Sequence, residues 1–154
     1  GELPLWWPYF GGGFPIVGHP EWPALNPLTA LAVAFGDVPG IKPEESNVKM
    51  GGGPTILVYD ARMIPNLALR DLVIATAGEL GIPLQFSSMP GGATDGAQIH
   101  MHNEGVPTVV IAVPTRHIHS HNAILCREDY DRALELVVAV VKKLDADTVA
   151  GLTA

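Results

Sequence analysis

The run LTALAVAF (28–35) is continuously apolar, of strand length, and bounded by Pro27 on one side and Gly36–Asp37 on the other. TILVY (55–59) is a second such run, rich in β-branched residues. Continuous apolar runs of this kind predict strands covered on both faces. Asn66 stands where a helix cap belongs, Leu69, Leu72, Val73, Thr76 and Leu80 follow the 3.6 period, and Gly81 is placed to end the helix in the left-handed region. Beyond it, IPLQFS (82–87) reads as a strand, GGATDG (91–96) as a turn, residues 95–103 as a short helix and TVVIAV (108–113) as a buried strand. In REDYDRALELVVAVVKKLD (127–145), Glu128, Asp129 and Asp131 fall in the first turn and Lys142 and Lys143 in the last, as the helix dipole favours. Tyr130, Leu134, Val137, Val138, Val141 and Leu144 form the apolar stripe expected to face the core of this helix.

This alternation of strand and helix predicts an α/β three-layer sandwich with a parallel or mixed sheet, in which sites gather just past the carboxyl ends of strands. Residues 1–27 differ: six of the fourteen prolines and all three tryptophans fall there, and no Lys or Arg precedes Lys42. Prolines that dense remove donors and fix φ too often for regular structure, so the segment is read as irregular. Its tryptophans argue that it packs on something. The division expected is an irregular Pro/Trp-rich segment (1–27), an α/β domain (28–147) and a tail (148–154).

Composition narrows the function. The 154 residues suit about one domain. A formal net charge of −7, with no basic run longer than Lys142–Lys143, leaves no electrostatic footprint for a phosphate backbone, so nucleic acid is not an expected partner. No apolar run approaches the roughly 20 residues of a membrane span, so no membrane partner is expected either. The single cysteine, Cys126, cannot make an internal disulfide. With no secretory signal pattern at the amino terminus, the cytoplasm is the expected setting.

Five of the six histidines lie between His100 and His121. In RHIHSH (116–121), directly after TVVIAV, an extended backbone puts His117, His119 and His121 on one face, successive ones about 6.6 Å apart. Two such imidazoles reach one zinc; a mononuclear site then needs a third ligand, for which His100, His102 and Asp95 are candidates. Histidines on a polar loop also cap carbonyls or face water, and Asp95 before a helix also reads as an N-cap.

The stretches GDVPGIKPEESNVKMGGGP (36–54), YDARMIPNLALRD (59–71), GIPLQFS (81–87), GGATDGAQIH (91–100), EGVPTVVIAVPTRHIHSH (104–121) and REDYDRALELV (127–137) resemble, in order and spacing, the carboxyl-terminal half of the tetrahedral, TET-type metallo-aminopeptidases, also labelled glutamyl or leucyl aminopeptidase or cellulase M. The resemblance covers roughly three quarters of the chain. It implies a zinc-exopeptidase-like α/β domain, present here in part, that removes N-terminal residues from peptides with two divalent metal ions, zinc or cobalt, and assembles into a dodecamer. It makes His119 a metal ligand. His117 stands where the family commonly has tyrosine and, like His121, would support the site rather than bind the ion. Thr94 and Asp95 would lie on the loop beside substrate access.

The rest of the family's site comes from earlier in the chain: a histidine, a bridging aspartate, a catalytic glutamate beside a ligand glutamate, and an aspartate at a strand end. Before Asp37 the only carboxylates are Glu2 and Glu21. The strand-end aspartate is matched by Ala34, leaving Asp37 as the nearest carboxylate, recruited only if the strand end shifts. The expectation is therefore a chain that carries the scaffold and one ligand and is inactive alone. Two alternatives stand beside it: a non-catalytic assembly subunit, and a mononuclear zinc hydrolase built on the histidines of 100–121.

Overall fold

The computed structural model describes residues 48–118 and 121–153 in full, and residues 6–7, 14–15 and 30–36 by their strand pairing. In chain order the elements are β1 (Trp6–Trp7), β2 (Phe14–Pro15), β3 (Ala30–Gly36), β4 (Thr55–Asp60), α1 (Leu67–Leu80), β5 (Gln85–Met89), α2 (Gly96–Ile99), β6 (Thr108–Arg116), β7 (Ile124–Leu125), α3 (Arg127–Lys143) and α4 (Ala146–Gly151). β1 and β2 pair antiparallel. Within the segment read as irregular there is thus one short ladder.

The main sheet runs β3-β6-β4-β5, with β7 paired to β6. It is mixed. β3 is parallel to β6 over seven residue pairs, from Ala30 opposite Thr108 to Gly36 opposite Pro114. β4 is antiparallel to β6, with Thr55 opposite Ala112, and β5 is parallel to β4. β6 is buried from Thr108 to Thr115 because both of its faces are covered. Val109 and Ile111 join Ile56, Leu69, Val73, Ala77, Leu136, Val140 and Leu152 in one core cluster. Val110 and Ala112 join Leu57, Met63 and Ala97 in the other. Helices α1, α3 and α4 therefore lie on one face and α2 on the opposite one, which gives the three layers of an α/β sandwich.

Local signals explain most boundaries. The Asn66 side chain accepts from the Leu69 N–H at 2.9 Å and donates to the Leu152 carbonyl at 2.8 Å, so one residue starts α1 and holds the end of α4. Gly81, at φ 67°, closes α1 in the left-handed region. The strand expected over 82–87 begins only at Gln85. Ile82 N–H is taken by the Ala77 carbonyl, Pro83 has no donor, and the Gln85 N–H makes the bond to Pro54. α2 is shorter than the helix expected over 95–103. Met101 to Glu104 turn instead.

One expectation is overturned in α3. The helix forms, but the stripe assigned to the core is largely outside: Tyr130, Leu134, Val138 and Val141 are exposed, while Asp129, Ala133, Leu136 and Val140 are buried. Val137 and Leu144 are partly buried at the boundary. The helix is rotated so that Asp129, rather than a larger apolar residue, enters the interior. α4 was not signalled by the hydrophobic pattern. It places Val149 and Leu152 in the interior and is capped by Asp145, whose carboxylate accepts from the Thr148 N–H at 2.9 Å.

Candidate functional site

The antiparallel relation of β4 to β6 gives the sheet two chemically different ends. At one end β3 and β6 finish and β4 begins. After Arg116 the chain passes through the histidine run and returns as β7, which pairs back on Thr115 and Arg116 and feeds Cys126 into α3. His117 has φ 61° and is exposed, a conformation uncommon for a residue with a side chain and one that turns the chain sharply out of the strand. His121 is also exposed. His119 and Asp37 lie outside the described residues. Asp37 directly follows Gly36, whose partner is Pro114, so the chain positions leading to Asp37 and to His119 leave the sheet at the same end.

Beside this exit the backbone is held by two side chains. Asp129 is fully buried, and its carboxylate accepts from the Gly51 N–H at 2.6 Å and the Gly53 N–H at 2.8 Å. The Gln85 amide accepts from the Lys49 N–H and donates to the carbonyls of Lys49 and Gly53, each at 2.8 Å. Gly53 has φ 93°, and a Cβ there would stand 2.1 Å from the Pro83 carbonyl oxygen. Only glycine fits. Next to the loop, the buried Thr55 hydroxyl has no hydrogen-bond partner among the described residues.

Thr94 belongs to the other end. Buried Asp60, the last residue of β4, accepts from the Thr94 N–H at 2.7 Å, the Thr94 hydroxyl at 2.8 Å and the Arg62 N–H at 2.9 Å. That network fixes the GGATDG loop. Asp95 occupies the N-cap position of α2, but its side chain makes no capping bond. A Cβ on Gly96 would come within 3.0 Å of the Val110 side chain, and from Val110 to Arg116 the strand runs about 20 Å. Thr94 and the exit of β6 are thus not brought together by this chain.

His100 and His102 also stand at the far end. The His100 carbonyl accepts from the Val106 N–H at 3.0 Å, just before β6 begins, and its Nδ1 donates to the Gly96 carbonyl at 3.0 Å. β6, nine residues long and extended, separates this pair from His117 and His121. A single site that combines the two histidine pairs is therefore not formed. Among the described residues, no group of three or more His, Cys, Asp or Glu side chains is placed to hold a metal ion. These residues do not fit a metal centre by themselves. Sequence reasoning also missed Asp60 and Asp129 as the groups that hold the two loops. Neither carried a distinguishing signal, one being an aspartate at a strand end and the other an aspartate in the first turn of a helix.

The sequence profile of the M42 glutamyl aminopeptidase family matches residues 23–136. The chain belongs to that family. A solved TET aminopeptidase from a marine sediment archaeon, Thaumarchaeota archaeon SCGC AB-539-E09, is 48% identical with a TM-score of 0.76, the match covering 84% of this chain and 37% of the archaeal one. The protein FrvX of Escherichia coli (strain K12) is 36% identical over 121 residues, 79% of this chain and 33% of FrvX. The dodecameric structure of PhTET1-12s is 25% identical with a TM-score of 0.55, over 73% of this chain and 32% of that one. The chain thus spans about a third of the length of these M42 relatives. Its mixed sheet with flanking helices is the corresponding part of the M42 fold. M42 membership implies divalent metal ions as the family's cofactor. No described helix is long and apolar enough to cross a membrane.

Proposed function

We propose that this chain is the part of a metal-dependent aminopeptidase subunit that carries the histidine ligand, His119, and that the carboxylate ligands and the general base come from polypeptide outside it. The observation that carries the reading is the M42 match over residues 23–136, with RHIHSH leaving the sheet at the end where the parallel strands β3 and β6 finish. His117 and His121 flank the ligand and support the turn that presents it, whereas the loop of Thr94 and Asp95, held by Asp60 at the opposite end of the sheet, is left out of this site. Asp37, the next residue along the chain after Gly36 at the end of β3, is the carboxylate that a shifted strand end would recruit. The substrate class is peptides with a free amino terminus. Zinc or cobalt is the proposed metal, a homo-oligomer like the dodecameric PhTET1-12s the proposed assembly, and the cytoplasm the proposed setting.

A chimera in which this chain replaces the matching 37% of the archaeal TET aminopeptidase tests the reading. Metal-dependent hydrolysis of leucyl- or glutamyl-p-nitroanilide is expected, falling at least 100-fold in His119→Ala. The chain alone is expected to bind less than one metal ion per molecule and to turn over at background, because zinc sites use three or four protein ligands. A chimera with no activity rejects the aminopeptidase reading. Robust turnover by the isolated chain rejects the divided site.

A further inference from the structure

Arg116 is the last residue of β6, and β7 pairs back on it through Ile124. Its backbone is therefore held in the sheet, while His117, at φ 61°, turns the chain away immediately after it. Because side chains alternate along a strand, Arg116 shares a face with Pro114 and Ala112, the face that carries α2. α2 lies back at Val110, so no described helix covers that face at Arg116, which is exposed. The acids at the adjoining start of α3 are already engaged. Glu128 pairs with Arg132 and Asp131 with Arg127, and Asp129 is buried on the Gly51 and Gly53 N–H groups. Among the described residues the Arg116 guanidinium makes no ion pair.

We propose that Arg116 is a specificity-determining residue that binds a carboxylate of the peptide substrate. The proposal rests on the aminopeptidase reading above and names which peptides that site takes. Position 119 is three residues on from Arg116, so the two Cα atoms are no more than about 11 Å apart. An extended peptide advances about 3.3 Å per residue. A substrate held at position 119 by its amino-terminal end thus brings a carboxylate on any of about its first three residues into that range, either an acidic side chain or the free terminus of a di- or tripeptide. The planar guanidinium fork meets a carboxylate with two parallel hydrogen bonds. A net charge of −7 opposes acidic ligands elsewhere on the chain, which makes an unpaired cation at this sheet end the place to accept one. Lys49 is a second cation here without an ion pair. Its backbone is bonded to Gln85 at the start of β5, two strands from β6 and so roughly 10 Å away.

The test measures kcat/KM in the chimera described above on three matched substrate pairs: leucyl-glycyl-glycine against its carboxamide, leucyl-glutamyl amide against leucyl-glutaminyl amide, and glutamyl- against glutaminyl-p-nitroanilide. In Arg116→Gln the preference for the carboxylate member of at least one pair is expected to fall at least tenfold, through KM rather than kcat, and Arg116→Lys, which keeps the charge without the fork, should retain part of it. The pair that responds identifies the source of the carboxylate, free terminus or side chain. Each pair is read as a ratio, so a loss of folded protein cancels. Lys49→Gln removes the same charge from the same sheet end and should move no ratio more than twofold. Ratios that Arg116→Gln leaves within twofold in all three pairs, as they would be were the guanidinium spent on a carboxylate of the enzyme itself, overturn the proposal. So does an equal effect of Lys49→Gln, which would mark a general field in place of a contact. A chimera that hydrolyses none of these substrates rejects the aminopeptidase reading and the proposal with it, an outcome distinct from an active chimera indifferent to Arg116.

Discussion

Asp129 shows how one buried charge decides the shape of a loop. Both carboxylate oxygens accept backbone N–H groups, from Gly51 and Gly53, and hydrogen bonds to a charged acceptor are about twice as strong as neutral ones. Asp129→Ala leaves two donors without partners in the interior and a void beside them. Loss of about 2–4 kcal/mol of stability is expected in urea unfolding, with the slope of the transition unchanged. At this scale the sequence is legible only where a residue's identity is tied to a motif. His119 was singled out by RHIHSH as a candidate, at a position outside the described residues. Asp60 and Asp129 were not, because an aspartate at a strand end or in a helix's first turn is ordinary in sequence, and only the folded loop reveals the donors that converge on it.

At the scale of elements, α3 is the instructive case. Its existence could be read from the acids at one end and lysines at the other, but its orientation could not. The apolar residues of this helix spread over a wide arc, and the larger ones lie on the exposed side. Burying Asp129 with its two donors turned the helix toward the less hydrophobic choice, Ala133, Leu136 and Val140. β5 fell short of its expected start for a similarly local reason, the capping bond of Ile82 and the missing donor of Pro83. The end of the chain carries a pH-sensitive element. The Thr148 backbone N–H, and then its side chain, hold the Asp145 carboxyl below the ordinary value of 3.8. A depressed carboxylate contributes stability that is present above its unfolded value and is lost as pH falls through the folded one. Hydrogen exchange at Thr148 and Val149 should therefore accelerate as pH drops below about 4, beyond the trend at other amides. Asp145→Asn, which keeps the acceptor oxygen and removes the titration, should abolish the excess.

For the whole molecule, the strands and helices of the α/β sandwich were largely legible, because apolar runs and caps are written locally. The relation between ends was not. Strand direction places Thr94 and Asp95 at the opposite end of the sheet from His117 and His121, a fact of pairing that no spacing along the chain encodes. Within the residues expected as a tail (148–154), Val149 and Leu152 are buried, and Leu152 is tied to Asn66. Deleting residues 146–154 is expected to lower stability by about 3–6 kcal/mol, from two apolar side chains at roughly 1.5–3 kcal/mol each, with thermal unfolding as the measurement.

The parallel pairing of β3 with β6 has a consequence for how the protein is made. β3 emerges from the ribosome more than seventy residues before the strand it bonds to, while β4, α1 and β5 are neighbours in time as well as in space. Until Thr108 to Arg116 has been synthesised, the nascent polypeptide holds a local parallel strand–helix–strand unit and an orphaned apolar strand with nothing to join them, and such distant partnerships close slowly. Chaperone demand should be concentrated in that interval.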